Sequence, residues 1–122
     1  MKLEVGMYVR GKYYRGKIGK IIKNYNNDLE IAYKDGVLKT NVGSFIDDNY
    51  DINGKQYKAS YNIIDILEKG DYVNGVEIIN IDDEWITMSD MQVPILKSIA
   101  NGMIKSVITH EQMEQMAYKV GE

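Results

Sequence analysis

Short runs of apolar and β-branched residues, separated by turns rich in glycine and asparagine, dominate the first half of the chain. They predict four strands, at residues 7–10, 18–24, 29–33 and 37–40. Because the connections are short, each strand is expected to pair with its neighbour in an antiparallel meander. Asn53-Gly54, a pair that favours a type I′ turn, predicts a further hairpin that joins 51–52 to 56–58.

Strand signals are sparser in the second half. Residues 85–89 predict a strand, whereas Pro94 lacks an amide donor and should mark a sheet edge or a break. Near the C terminus, Thr109-His110-Glu111-Gln112 has the spacing of a capping box, and two methionines follow at helical spacing. These signals predict a short amphipathic helix over residues 110–117.

An internal repeat divides the chain. The segment Leu3-Glu4-Val5-Gly6-Met7-Tyr8-Val9-Arg10-Gly11 matches Leu67-Glu68-Lys69-Gly70-Asp71-Tyr72-Val73-Asn74-Gly75 at six of nine positions, with a spacing of 64 residues. Each copy then turns at glycine into an isoleucine-rich run. We therefore predict two tandem units, residues 1–66 and 67–122, the second shorter and more acidic.

Length, composition and charge limit what kind of molecule the chain forms. Its 122 residues, 44% hydrophobic and 27% charged, suit one compact domain or two very small ones. The net charge of −3 conceals two regions of opposite sign, because residues 1–39 carry nine Lys/Arg against four Asp/Glu and residues 40–122 carry six against fourteen. No run free of charge approaches the roughly 20 residues of a membrane span, so we expect no membrane association.

Groups that could catalyse a reaction are scarce. The chain has no cysteine and one histidine, His110, at the predicted helix start, where an exposed polar residue is routine. Carboxylates also cluster in turns, as they do in most proteins, at Asp47-Asp48, Asp51 and Asp82-Asp83-Glu84. Asn49-x-Asp51-x-Asn53-Gly54 imitates the start of a calcium loop, but Ser60 stands where the bidentate glutamate belongs. We expect no enzymatic activity, no metal site and no cofactor.

A basic, tyrosine-interleaved segment between the first two predicted strands is the richest candidate for binding. Cations can neutralise phosphates, tyrosines can stack on unpaired bases, and glycines let the backbone approach a ligand. The expected binding residues are Arg10, Lys12, Tyr13, Tyr14, Arg15, Lys17, Lys20 and Lys23. The competing interpretation is that the lysines lie on the solvent face of a strand. A short single strand, a nucleotide or an acidic protein patch fits better than a duplex, which the acidic remainder would repel.

The second unit offers a different candidate surface. Trp85 and Met88 are the residues that we expect to contact a partner. Tryptophan is enriched among the residues that contribute most to binding, and the flexible methionine side chain adapts to the shape of a partner. With one Phe in the chain, core packing competes as an explanation for such side chains. Unpaired strand edges near Pro94 offer a contact for a partner or a second copy, so a homodimer remains an alternative. The acidic charge could also imitate nucleic acid in a basic groove of a host enzyme.

Two resemblances add to these expectations. Five or so short strands, with a tight glycine turn after a Gly-x-Tyr-Val start, resemble the SH3-like barrels of KOW and Tudor type. That resemblance implies a mostly β fold of two tandem SH3-like small barrel or meander units with a short C-terminal helix. Residues 3–10 (LEVGMYVR), 60–75 (SYNIIDILEKGDYVNG) and 104–112 (IKSVITHEQ) resemble small proteins encoded by phages and prophages of AT-rich Gram-positive bacteria.

The second resemblance implies a setting and a class of function. Small phage proteins often act by binding host machinery, and anti-CRISPR and other anti-defence inhibitors are found among them. We therefore expect a non-enzymatic protein that docks on a host defence protein in the cytoplasm of the bacterial host cell. The alternative is an accessory protein that binds nucleic acid or a nucleotide through the basic segment, and an enzyme is the third hypothesis.

Overall fold

The computed structural model describes residues 3–11, 16–48, 57–117 and 120–121. The chain divides into two compact units, Met1–Ile66 and Leu67–Glu122, and the second begins at the residue that opens the second copy of the repeat. Each unit contains one five-stranded antiparallel sheet, and the remaining regular structure is short helices. The expectation of a mostly β fold is confirmed.

In the first unit, four strands form the predicted meander and a fifth joins it from the C-terminal side. The elements are β1 (Tyr8–Arg10), β2 (Ile18–Tyr25), β3 (Asp28–Tyr33), β4 (Gly36–Asn41), α1 (Val42–Asp48), β5 (Lys58–Ser60) and a 3₁₀ turn (Ile63–Ile66). Asn26 and Asn27 both have positive φ, 50° and 68°, as a two-residue type I′ turn between β2 and β3 requires. The predicted Asn53-Gly54 hairpin and the calcium-like pattern lie outside the described residues.

The second unit repeats this plan with shorter strands. They are β6 (Tyr72–Val73), β7 (Val76–Ile81), β8 (Trp85–Met88), β9 (Ile95–Leu96), α2 (Lys97–Asn101), β10 (Val107–Ile108) and α3 (His110–Met116). The predicted C-terminal helix is confirmed as α3, with the reciprocal Thr109 and Gln112 bonds of a capping box. Pro94 directly precedes β9, which lies at a sheet edge as the missing amide donor predicts.

The two sheets have the same topology. The strand orders are β4-β3-β2-β1-β5 and β9-β8-β7-β6-β10, so each first strand lies between the second and the fifth. Backbone bonds correspond as well, since Gly6 N–H donates to the Ile21 carbonyl and Gly70 N–H to the Ile78 carbonyl, both at 2.9 Å. A register shift follows each of these isoleucines. The pairings among the described residues form open sheets, with β4, β5, β9 and β10 at the edges.

Corresponding positions fill the two cores. The buried pairs, first unit before second, are Leu3 and Leu67, Val9 and Val73, Ile21 and Ile78, Leu29 and Ile86, and Ile31 and Met88. The two sheets therefore bury side chains at the same positions of their strands, and the buried side chains alternate with outward-facing ones. Within the described residues, no helix has the length and apolar character needed to cross a membrane.

Gly19 is required by close packing in the first sheet. A Cβ at this position would lie 2.5 Å from Ile31 Cγ2 and 2.8 Å from Tyr33 Cε1. Because β2 and β3 are hydrogen-bonded neighbours, the backbone has little room to move away. We expect Gly19→Ala to lower the free energy of unfolding by about 1–3 kcal/mol, measured by urea denaturation.

Gly43, in α1, supplies the control for this substitution. A Cβ there would meet its nearest atom, Asn41 Oδ1, at an ordinary 3.5 Å. Gly43→Ala should leave stability unchanged or raise it slightly, because alanine reduces the freedom of the unfolded chain. Equal midpoints for Gly19→Ala and the wild type would contradict the packing argument.

Candidate functional site

The basic segment lies in the hairpin between β1 and β2, and this hairpin is longer than its counterpart. Eleven residues lie between the paired Tyr8 and Lys20, but only four lie between the paired Tyr72 and Glu77. The first unit therefore carries seven additional residues at a point where the second makes the tight Asn74-Gly75 turn. Four of the expected binding residues, Lys12, Tyr13, Tyr14 and Arg15, lie outside the described part of the chain.

Arg10 belongs to the interior of the first unit. Only 4% of its surface is exposed, and its Nη1 donates to the carbonyl oxygen of Ile66 at 3.1 Å. This bond links β1 to the end of the 3₁₀ turn, so the guanidinium acts in packing that unit. The expectation that Arg10 meets a ligand on the surface does not fit this position.

The three described lysines of the segment all have partners within the first unit. Lys17 Nζ lies 2.9 Å from Asp35 Oδ2, and the hydrogen bond from Lys17 is the main cause that lowers the pKa of Asp35. Lys23 Nζ lies 3.4 Å from Glu30 Oε2, and Lys20 Nζ stands 5.4 Å from the ring centre of Tyr8. These contacts agree with the interpretation that the lysines decorate a solvent face.

Trp85 and Met88 lie on opposite faces of β8. Met88 is 7% exposed and occupies the core position that Ile31 holds in the first unit, so it cannot share a contact surface with Trp85. Trp85 is 42% exposed and pairs directly with Leu96 on β9, which is 37% exposed. We call this cross-strand pair the Trp85–Leu96 face.

A tight acidic turn positions Trp85. Asp82 Oδ1 accepts the backbone N–H groups of Trp85 and Glu84, at 2.8 and 2.9 Å. These two bonds, first that of Trp85 and then that of Glu84, hold the pKa of Asp82 below its usual range, and the charge of Lys97 contributes in the same direction. The turn therefore holds an ionised carboxylate against the backbone at the start of β8.

The first unit has polar residues at the two positions that correspond to Trp85 and Leu96. In both units the first residue of the third strand pairs with the last residue of the fourth, which gives Asp28 with Asn41 and Trp85 with Leu96. Asn41 Oδ1 also accepts the N–H of Ser44 at 2.8 Å and so caps the first turn of α1. Leu96 stands at the N-cap of α2 and makes no side-chain capping bond. Sequence reasoning missed Leu96, although a leucine directly before a short helix is an unusual N-cap.

His110 lies between two carboxylates in the second unit. Its Nε2 is 2.9 Å from Glu68 Oε1 and 2.9 Å from Glu111 Oε1, and each of the three residues is partly exposed. Among the described residues, these are the side chains whose donor atoms, all within 4.8 Å of one another, could together hold a divalent cation. The same two distances also make Nε2 a direct polar contact of both carboxylates.

No family model, curated protein or solved structure matches this chain.

Proposed function

We propose that this chain is a non-enzymatic, phage-encoded protein that inhibits a bacterial defence system, in the manner of anti-CRISPR proteins, by docking on a host protein. The observation that supports docking is the Trp85–Leu96 face. A partly exposed tryptophan beside an exposed leucine gives an anchor of the kind that concentrates binding energy in protein interfaces. The phage setting rests on the sequence resemblance, and each unit is proposed to be an SH3-like half because it has five short antiparallel strands.

The absence of enzymatic activity is part of the same proposal. It rests on the lack of cysteine and on a single histidine. His110 faces Glu68 and Glu111 on its Nε2 side, so that nitrogen is engaged by carboxylates and is not directed at a nucleophile. We expect a binding protein to use surface side chains for its function, and the Trp85–Leu96 face supplies them.

Affinity capture with matched variants tests the docking role. When tagged protein is passed over lysate of its bacterial host, one host protein should be retained by the wild type and lost with Trp85→Ala. Ile22→Ser is the control, because Ile22 is 47% exposed on the other unit and should leave capture intact. In the host, expression of the wild type should restore phage plating on a strain with an active defence system. Recovery of nucleic acid alone, or equal capture by Trp85→Ala, would contradict the proposal.

A second candidate function is binding of nucleic acid or a nucleotide. It is favoured by the additional residues of the first hairpin, which carry a cluster of basic and tyrosine side chains that the corresponding turn lacks. Affinity for a fluorescent oligonucleotide should then fall steeply with salt and with Lys12→Glu and Arg15→Glu. Lys34→Glu, in the turn between β3 and β4, is the matched control. Salt-independent binding, or none, would exclude this candidate.

A further inference from the structure

The apolar pair, the acidic residues beside it and the edge strand β9 together favour one class of partner for the Trp85–Leu96 face. We propose that this face binds a basic, extended segment of another protein, in which Lys or Arg side chains alternate with apolar ones. The inference rests on the docking role proposed above and names the partner class for that same face.

The strand pairing itself does not require an apolar pair at this place. At the corresponding place in the first sheet, Asp28 and Asn41 complete the same strand pairing with polar side chains. The next cross-strand pair on that face is also charged in the first unit, since Lys23 and Glu30 form an ion pair there. Leu96 further replaces a capping residue with one that makes no capping bond. Both apolar side chains are therefore better explained by a contact outside the unit.

The charge beside the face favours a cationic partner. Asp82, Asp83 and Glu84 directly precede Trp85, and residues 67–122 carry ten Asp/Glu against four Lys/Arg. The cation that acts on this turn is Lys97, which contributes to the ionisation of Asp82. A Lys or Arg side chain laid over an indole gains from the ring face and from nearby carboxylates together. An acidic peptide or a nucleic acid strand would be repelled by the same groups.

The position of β9 favours an extended partner. Within the described part of the chain, β9 pairs with β8 and lies at the edge of the second sheet. An edge strand accepts an added strand, whose alternate side chains then point to one face. The cations of such a segment would lie over Trp85 and Leu96 and meet residues 82–84, with their methylene stems against the two apolar side chains. Its apolar side chains would point to the opposite face of the sheet, beside the half-buried Ile95.

The single tryptophan makes this inference directly measurable, because its fluorescence reports from the face itself. The full chain is titrated with a ten-residue peptide of alternating Lys and Val, with the same peptide carrying Glu for Lys, and with a short single-stranded oligonucleotide. We expect a saturable change in Trp85 emission with the lysine peptide only. The double charge reversal Asp83→Lys with Glu84→Lys should weaken that binding about tenfold.

Leu96→Asn separates binding from stability. Asparagine is a preferred N-cap and is the residue that the first unit uses, so the thermal midpoint should be unchanged or higher. Peptide affinity should nevertheless fall severalfold, because an apolar contact is lost. Ile22→Ser, on the first unit, should leave peptide affinity unchanged. Unchanged peptide affinity in Leu96→Asn would overturn the inference.

Three further outcomes would also overturn it: an emission change with the glutamate peptide, one with the oligonucleotide, or one that follows protein concentration alone. The last would identify a second copy of this chain as the occupant. Failure of the lysine peptide, with Trp85→Ala still losing the captured host protein, would refute the partner class and leave the docking role standing. Equal capture by Trp85→Ala would instead refute the docking role itself.

Discussion

Asp71→Ala is expected to lower the free energy of unfolding by about 2–4 kcal/mol, through loss of two hydrogen bonds to one buried carboxylate. Asp71 has no exposed surface. Its Oδ2 accepts the N–H of Glu68 at 2.7 Å and its Oδ1 accepts the N–H of His110 at 2.9 Å. The side chain therefore joins the turn that opens the second unit to the first residue of α3. Alanine would leave both amide groups without this acceptor.

The first unit supplies a graded variant for the same test. Met7 occupies the corresponding position, and its Sδ lies 3.3 Å from the N atom of Glu4, which donates to it. Asp71→Met should therefore restore an acceptor for the turn but none for His110, and its stability should fall between those of the wild type and Asp71→Ala. Urea denaturation followed by Trp85 fluorescence measures the series.

Asp90→Ala, at an exposed position of the same unit, is the control and should shift stability by less than about 0.5 kcal/mol. Amide exchange at His110 should accelerate in both Asp71 variants, since each removes the acceptor of that amide. If Asp71→Ala were as stable as Asp90→Ala, the carboxylate would have no part in joining α3 to the opening turn.

Local signals in the sequence were sufficient for most of the first sheet and for α3. The apolar alternation of β2 and β3 and the asparagine pair between them are contiguous in sequence, so they define a hairpin without distant information. The capping box is equally local, because Thr109 and Gln112 are three residues apart. The sequence repeat also predicts that the two units begin with the same turn. Gly6 and Gly70, at the same position of the repeat, both have positive φ, 95° and 93°.

The candidate surface needed information that is not local. Trp85 meets Leu96 only through a register set across a connection that contains Pro94, which strand propensity does not determine. Arg10 is buried because the end of the 3₁₀ turn returns to β1, a contact between residues 56 positions apart. The relative placement of Trp85 and Met88, by contrast, follows from the sequence. Residues 85 and 88 differ by an odd number, so a strand places their side chains on opposite faces.

Phe45→Ala is expected to cost about 3–5 kcal/mol of stability. Phe45 is 2% exposed and lies in the core cluster that includes Val9, Ile31 and Tyr57. Its ring centre is 5.2 Å from that of Tyr57, with the planes inclined by 58°, a favourable tilted arrangement. Removing the ring would leave a cavity lined by side chains that the sheet holds in place.

The second unit makes this prediction sharper. The fourth residue of α2 is the half-buried Ala100, where α1 has the buried Phe45, so the first unit alone of the two places a large ring at this helix position. In the first unit the neighbours remain those that fit a phenyl ring, and the lost volume stays unfilled. Amide exchange of Leu29 and Ile31 should report the loss, with Val37→Ala, at a half-exposed position of β4, as the control. A loss no larger than that of Val37→Ala would mean that β3 does not depend on α1 for its packing.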